Sequence, residues 1–478
     1  MNDVRAHSHP PAVLRGQFDA QRGAYAAERY PSLALRRDRL ERLAALVEDH
    51  EQDFVAAVAG DFGVRPAQET RLAELFVIAA GVRHTRRNLK QWMAPEPVPT
   101  PVYLWPGRSQ VLRQPLGVVG VISPWNYPVQ LALLPALAAL AAGNRVMLKP
   151  SELAPRTAAL LERLVGQHFS EDEFAVATGG PDVGDAFSRL PFDHLFFTGS
   201  TAVGRKIALA AAANLTPVTL ELGGKSPALI HADADVRTAA PKLAAGKLLN
   251  AGQTCIAPDY ALVPATHVDA WAAALRDSAA SLYPSFGENP DYSSIINDGH
   301  YRRLAALIDD AVKKGARAVT IDTGAASVRR SNRTLAPTIL LGVNDSMAVM
   351  REEIFGPVLP IEPYDSLDQA ISKINARPRP LSLYMFGGDT GARRRVLEQT
   401  TAGGVTIDDT LLHFSNESLP FGGIGASGIG AYHGERGFLT FSHQKAVFIQ
   451  PRLSFTWLLR PPYGKRFERA LAILKKIS

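Results

Sequence analysis

One side chain stands apart chemically: Cys255, the only cysteine in 478 residues, lies in "LLNAGQTCIAP" between Leu248 and Pro258. A free cysteine is more often a small buried hydrophobe than a reactive group. Its surroundings raise the alternative. Gly252 and little side-chain bulk precede it, and the segment falls between a predicted helix and a predicted strand, where a nucleophile is readily presented. Two glycine patterns carry less. Gly423, Gly425 and Gly428 satisfy G-x-G-x-x-G, yet no strand leads in and no good helix leads out, so they read as a loop. "GSTAVGRK" from Gly199 to Lys206 nearly spells a phosphate loop, but Arg205-Lys206 replaces the Lys-Ser/Thr that would bind magnesium. What is left is a strand, a glycine turn and a helix start at Ser200 and Thr201. Its backbone N–H groups suit a pyrophosphate, or simply cap a packing helix.

Metal chemistry finds no ligands. "HADADV" at His231 to Val236 lacks calcium-loop spacing and reads as Asp233 or Asp235 capping a helix, and no HExxH or paired Cys/His pattern occurs. One cysteine excludes an intramolecular disulfide framework and multi-thiolate clusters, which fits a cytoplasmic chain. The start, "MNDVRAHSHPPAVLRG", lacks the apolar core of an export signal. The longest apolar run, "LALLPALAALAA" from Leu131 to Ala142, is too short to span a bilayer and predicts a buried helix. The net charge of +6 is scattered with both signs over most of the chain, unlike a nucleic-acid footprint. The tail differs. In "RPPYGKRFERALAILKKIS", Phe467, Leu471 and Leu474 recur at helical spacing among six cations, so this helix docks on protein or makes weak contact with an anionic membrane surface.

The elements that must position these residues follow from periodicity. Leu40, Leu43, Val47, Phe54 and Val58 predict one long amphipathic helix capped by Ser32, and a second helix runs from about Ala67 to Trp92. Six prolines between Met93 and Leu116 then demand extended edge segments. From Leu116 onward, "LGVVGVIS", "RVMLK", "EFAVAT" and "HLFFTG" read as strands alternating with helices at Val129 to Ala142, Ala154 to His168, Val183 to Leu190 and Ser200 to Asn214. That alternation predicts an α/β fold with a Rossmann-like parallel sheet, whose strand ends bind nucleotides. A second α/β series begins after Leu222.

Seven segments together resemble the aldehyde dehydrogenase superfamily over nearly the whole chain. They are "SPWNYP", "LKPSE", "FFTGSTAVG", "LELGGKSP", "GQTC", "EEIFGPVLP" and "LPFGGIGASG", in matching order and spacing. The resemblance is to the class 3-like branch and, through "NLTPVTLELGGKSPALIHADADV" and "FSHQKAVFIQPR", most of all to bacterial coniferyl aldehyde dehydrogenases. It implies a cofactor-binding domain over residues 1–222, with residues 98–115 in a small β oligomerisation arm. A catalytic domain over 223–412, a glycine-rich return over 413–442 and an oligomerisation strand with the basic tail over 443–478 complete the map. A homodimer is the implied assembly.

By the same resemblance Cys255 attacks an aldehyde carbonyl, Asn126 supplies an oxyanion donor, and Glu221 activates the water that cleaves the resulting thioester. An uncharged amide and a backbone N–H stabilise developing negative charge without titrating. A carboxylate in a dry site has its pKa moved toward working pH, as a general base requires. Lys149, Glu152, Gly199, Ser200, Gly204, Glu353 and Phe355 take the cofactor positions. Glu152 would accept from a ribose 2′-hydroxyl and repel a 2′-phosphate, favouring NAD, whereas Lys149 would tolerate NADP.

The implied substrate is coniferyl aldehyde, oxidised to ferulate. Trp125, Tyr127, Ile256, His413 and Phe414 flank the catalytic motifs and could line an apolar pocket for an aromatic ring. A fatty aldehyde fits the same lining. A cofactor-independent thiol hydrolase would need a histidine beside Cys255, which no motif demands, and a silent binding protein would have no reason to keep Cys255, Asn126 and Glu221 together.

Overall fold

A computed structural model describes residues 8–284, 289–321 and 332–477. The first seven residues of the amino-terminal stretch, and parts of the second α/β series, lie outside them. Three sheets organise the chain. The strands are β1 (Glu96–Val98), β2 (Arg108–Pro115), β3 (Val118–Ile122), β4 (Arg145–Lys149), β5 (Phe174–Val176), β6 (His194–Thr198), β7 (Val218–Glu221) and β8 (Pro227–Ile230). They continue with β9 (Tyr260–Pro264), β10 (Arg317–Thr320), β11 (Thr338–Leu341), β12 (Val358–Tyr364), β13 (Ser382–Phe386), β14 (Gly404–Ile407), β15 (Gly428–Ile429) and β16 (Ser442–Ile449).

The first sheet runs in the order β15-β7-β6-β3-β4-β5, all parallel except β15. β3 through β6 are buried along every residue, so each strand reads as a continuous apolar run and needs helices on both faces. From β3 the chain winds outward to β5, then returns to β6 on the other side. The reversal falls between β3 and β6, and ligands of such sheets bind beyond the carboxyl ends at this switch point. Ser123 to Asn126 leave β3 there, and Gly199 and Ser200 leave β6.

The second sheet, β10-β11-β12-β9-β8-β13-β14, is again parallel except at its β10 edge. The third, β1-β2-β16, pairs β2 and β16 antiparallel over eight residues.

The helix Gln130–Ala142 is buried nearly all round, as its unbroken apolar sequence requires, and Pro135 is accommodated inside it. Each fully buried leucine there contributes about 1.5–3 kcal/mol. The amino-terminal helices Leu33–Glu48 and Glu51–Phe62 correct the single long helix expected from Ser32 onward. Asp49 and His50 interrupt the run, because the apolar stripe there skips a turn. Ser32 does cap the first of them, accepting from Leu35 N at 3.2 Å. A further helix, Pro11–Ala27, went unread because its apolar positions are sparse; it buries only Leu14 and Phe18 as large apolar groups. Asp235 caps the helix Val236–Leu248, as its position suggested. Where strand was expected near Val102, residues Val102–Leu104 form a 3-10 turn. The glycine-rich return is mostly irregular but contains β15 and the helix Gly434–Thr440. The tail forms the helix Lys465–Ile477. No helix among the described residues is long and apolar enough to cross a membrane.

Candidate active site

The loop that carries Cys255 is bent by necessity. The helix ends at Leu248, and Asn250, Ala251 and Gly252 then take positive φ of 51°, 51° and 75°. Such backbone is costly for the first two residues and persists only where its surroundings over-determine it. Gln253 does much of this: its side-chain amide donates to Asn250 O and Ser294 O at 3.0 Å each, and its Oε1 accepts from Ile296 N at 3.0 Å. The Tyr384 hydroxyl holds Ile256 O from the other side. Cys255, presented between these anchors, is the one partly open residue of its immediate loop.

Two cavities meet at that thiol. The first, about 560 Å³, is lined by Trp125, Asn126, Gly199, Ser200, Glu221, Glu353 and Phe355 along with Cys255. The second, about 780 Å³, is mainly apolar and is lined by Leu72, Phe76, Tyr127, Leu131, Ile256 and Phe414, again with Cys255. A reactant entering from either side reaches the same sulfur.

Burial governs the electrostatics of this junction. It pushes the Cys255 thiol up to about 12, and the nearby carboxylates of Glu353 and Glu221 add to the rise. Burial also raises Glu221 well above the usual carboxylate range. Both Glu221 oxygens are enclosed without a hydrogen-bond partner. An orphaned buried carboxyl is expensive and marks a site completed by something the protein alone does not supply. Asn126 is buried, and its side-chain amide donates to Gln253 O at 3.1 Å, which holds it against the cysteine loop.

The first cavity suits an anionic dinucleotide. Ser200 caps the helix Thr201–Ala212, accepting from Val203 N, and Ser200, Thr201 and Ala202 line the cavity, so the positive end of the helix faces it. Thr198 Oγ1 is enclosed there without a partner. At the inner end Glu353 lies so close over Gly223 that a Cβ would sit 2.0 Å from its Oε2. Burial raises Glu353 to about 8, with Asp259 adding to the rise. Phe355 holds a positive φ of 52° and packs edge-on against Trp125 at 5.4 Å. The residues fit the cofactor class expected from the sequence.

The sequence-derived candidates divide clearly. Cys255, Asn126, Glu221, Gly199, Ser200, Glu353 and Phe355 come together. Lys149, the last residue of the neighbouring strand β4, pairs with Glu152 at 2.8 Å, outside that cavity. Gly204 is also outside it: a Cβ there would lie 2.6 Å from Leu222, so it allows close packing of its helix. Tyr127, Ile256 and Phe414 line the apolar cavity, whereas Trp125 lines the other one. The chain bends through Trp125, Asn126 and Tyr127, and the two rings end up on the walls of different cavities. His413 lines neither. It is buried with its ring nitrogens 3.0 Å from Ser382 Oγ and 2.8 Å from Thr406 Oγ1, and burial lowers its pKa to about 4. Adjacency to Phe414 misled, because the turn between them sends the two rings apart.

Several contributors had no motif to announce them. His300 packs at a tilt against Trp125, ring centres 4.9 Å apart, and Arg303 donates to Glu353 O at 3.2 Å. Lys225 reaches Asp259, Val349 O and Glu352 O, and Asp259 accepts from Ile354 N at 2.8 Å, so this ion pair braces the Glu353 segment. Of these four side chains, only Lys225 belongs to one of the family motifs, "LELGGKSP".

A two-winged α/β molecule with a thiol and an orphaned carboxyl lining a dinucleotide-sized crevice has the form of a cysteine-dependent oxidoreductase. Comparison with known proteins agrees: the aldehyde dehydrogenase family profile matches residues 17–447, and the chain belongs to that family. A probable coniferyl aldehyde dehydrogenase from Pseudomonas aeruginosa is 47% identical, covering 95% of each chain. A coniferyl aldehyde dehydrogenase from a Pseudomonas species is 44% identical over 96% of each. A 4,4'-diaponeurosporen-aldehyde dehydrogenase from Staphylococcus aureus is 38% identical, covering 97% and 99%. Among solved structures, substrate-bound Staphylococcus aureus AldH superposes with a TM-score of 0.91 at 38% identity, covering 96% and 99%. A Mycobacterium tuberculosis aldehyde dehydrogenase complexed with NAD+ gives 0.83 at 30% identity, covering 94% and 92%. The protein is an aldehyde dehydrogenase, an enzyme that oxidises aldehydes.

Proposed function

We propose that the chain oxidises an aromatic aldehyde, coniferyl aldehyde, to ferulate with NAD, and that Cys255, Asn126 and Glu221 carry the reaction. The observation that carries this reading is the position of Cys255 on the walls of both cavities. The Cys255 sulfur, once deprotonated, attacks the aldehyde carbon, and the carbonyl oxygen takes the negative charge. Asn126 Nδ2 and the Cys255 backbone N–H donate to that oxygen. Gly199, Ser200, Glu353 and Phe355 would hold a nicotinamide dinucleotide in the first cavity, which would supply the hydride acceptor. As the adduct's oxygen re-forms the carbonyl and its hydride departs, an acyl thioester remains on Cys255. Glu221 removes a proton from water as it adds to the thioester. The carbon–sulfur bond then breaks, releasing the carboxylic acid and the thiol. A raised carboxyl pKa suits Glu221 to this duty.

Glu353, Phe355, Gly199 and Ser200 hold the cofactor, and the Lys149–Glu152 pair meets its adenosine end. Glu152 disfavours a 2′-phosphate, so kcat/KM with NAD should exceed that with NADP, and Glu152→Gln should narrow the gap; a native preference for NADP overturns this part.

The substrate assignment draws on the 44–47% identical relatives named for coniferyl aldehyde and on the aromatic lining of the second cavity by Tyr127, Phe76 and Phe414. A second reading has its own support: Leu72, Phe76 and Leu412 line the same cavity and are more than half exposed, a rim that would also take a long apolar chain, and the Staphylococcus aureus relative is named for such an aldehyde. Comparing kcat/KM for coniferyl aldehyde and decanal separates them. A strong preference for decanal overturns the aromatic assignment.

For assembly, a homodimer through the β1-β2-β16 sheet supports itself on β16, an edge strand that exposes Phe448 and Ile449.

A further inference from the structure

We infer that Arg65 is a positioning residue for catalysis, fixing the oxyanion donor Asn126 from beneath while its partner Glu69 fixes the cysteine loop. This rests on the reading of Asn126 given above.

Arg65 is almost completely enclosed, and its guanidinium lies against the faces of Phe62 and Tyr127, 4.8 Å from each ring centre. Its one hydrogen bond among the described residues runs from Nη1 to Asn126 O at 2.7 Å. Its other nitrogens stand 3.5 Å from Glu74 Oε1 and 3.8 Å from Glu69 Oε2. Each carboxylate in turn holds backbone. Glu74 Oε2 accepts from Val129 N at 2.7 Å and Gln130 N at 3.2 Å, just past Asn126. Glu69 Oε1 accepts from Asn250 N at 3.1 Å, in the strained turn before Cys255. Asn250 closes the circuit, its Nδ2 donating to Asn126 O at 3.0 Å.

One short stretch of chain therefore grips both halves of the oxyanion site. A buried cation would be poorly placed here for stability alone, since apolar packing of equal volume serves as well. Its geometry instead serves precision: reacting groups must be held within a fraction of an ångström, and a misplacement of about 1 Å can cost roughly a hundredfold. The same stretch passes through the π-helical turn Arg71–Phe76, a form often found at functional sites, and its other face supplies Leu72 and Phe76 to the apolar cavity. The wall that receives substrate is thus continuous with the frame that aims Asn126.

The test compares the native enzyme with Arg65→Met, Arg65→Lys and Asn126→Ala. It reads the pre-steady-state burst of reduced cofactor with coniferyl aldehyde, NAD affinity by fluorescence, and thermal unfolding. Arg65→Met should slow the burst about 10- to 100-fold with NAD affinity within twofold of native, and Arg65→Lys, which keeps the charge but not the fork, should recover part of the loss. If Arg65→Met does not fold, Arg65→Lys alone decides, with an intermediate burst rate and native NAD affinity expected. A burst within twofold of native in the folded Arg65 variants overturns the inference, as does a loss of burst that merely tracks a loss of NAD affinity. If Asn126→Ala keeps a native burst, the underlying role of Asn126 fails instead.

Discussion

At the residue scale the site works by withholding water from charged groups. Burial opposes charge on both Cys255 and Glu221, and the Glu353 and Glu221 carboxylates add to the rise at the thiol. Alkylation of Cys255 by iodoacetamide in the free enzyme should therefore be slow at pH 7 and still rising at pH 9; a plateau below pH 8 would contradict the raised thiol pKa. Glu353 gives a stability test with a definite sign. Its folded pKa, raised to about 8, lies above the ordinary value of 4.5, so folding favours its protonated form. The stability this contributes is complete below about pH 4.5 and is lost as pH rises through about 8. Glu353→Gln should consequently melt higher than the native chain at pH 8.5, with the difference vanishing near pH 4.5, as differential scanning calorimetry would show.

At the element scale, a loop with forced backbone presents the thiol. Gly252 has a φ of 75°, and a Cβ there would lie 2.4 Å from Gly356 O, a backbone atom that cannot swing aside. Gly252→Ala should cost about 1–3 kcal/mol of stability and most of the activity, measured by denaturant unfolding and turnover together. Phe76, on the outer rim of the apolar cavity, tests the opposite expectation. Phe76→Ala should lower kcat/KM for coniferyl aldehyde several-fold while leaving NAD affinity unchanged. Sequence periodicity revealed β3, β4, β6 and the helix Gln130–Ala142, because strands and helices buried on all sides leave uninterrupted apolar runs. It did not reveal the break at Asp49 and His50, since a stripe with heptad steps continues numerically across a two-residue turn. Cys255, Asn126 and Glu221 came forward through the motifs of a resembling family rather than from residue type alone, and the fold brings the three to one cavity. Arg65, 61 positions before Asn126, acts through a backbone carbonyl, a contact that constrains folding geometry rather than local spacing and so leaves no pattern. His413 shows the reverse error, a plausible residue type beside a real lining residue but turned the other way.

At the scale of the whole molecule, the active crevice depends on two sheets held in fixed relation. Asn126 follows β3 and Glu221 ends β7 of the first sheet, whereas Cys255 and Glu353 come from chain between strands of the second. The short β1-β2-β16 sheet stands apart from both, with β16 as an open edge. Light scattering should find a dimer at micromolar concentration, and Ala446→Pro, which removes an N–H from β16, should shift it toward monomer. A native chain that is monomeric at that concentration contradicts the proposed assembly.

The most direct test of the chemistry is the mass of the intact Glu221→Gln protein after brief mixing with NAD and coniferyl aldehyde. If Cys255 captures the aldehyde and Glu221 activates the water that releases it, a feruloyl thioester should accumulate on Cys255 after one turnover of cofactor. Unmodified protein together with continuous formation of reduced cofactor, or an acyl group on any other residue, would contradict the account.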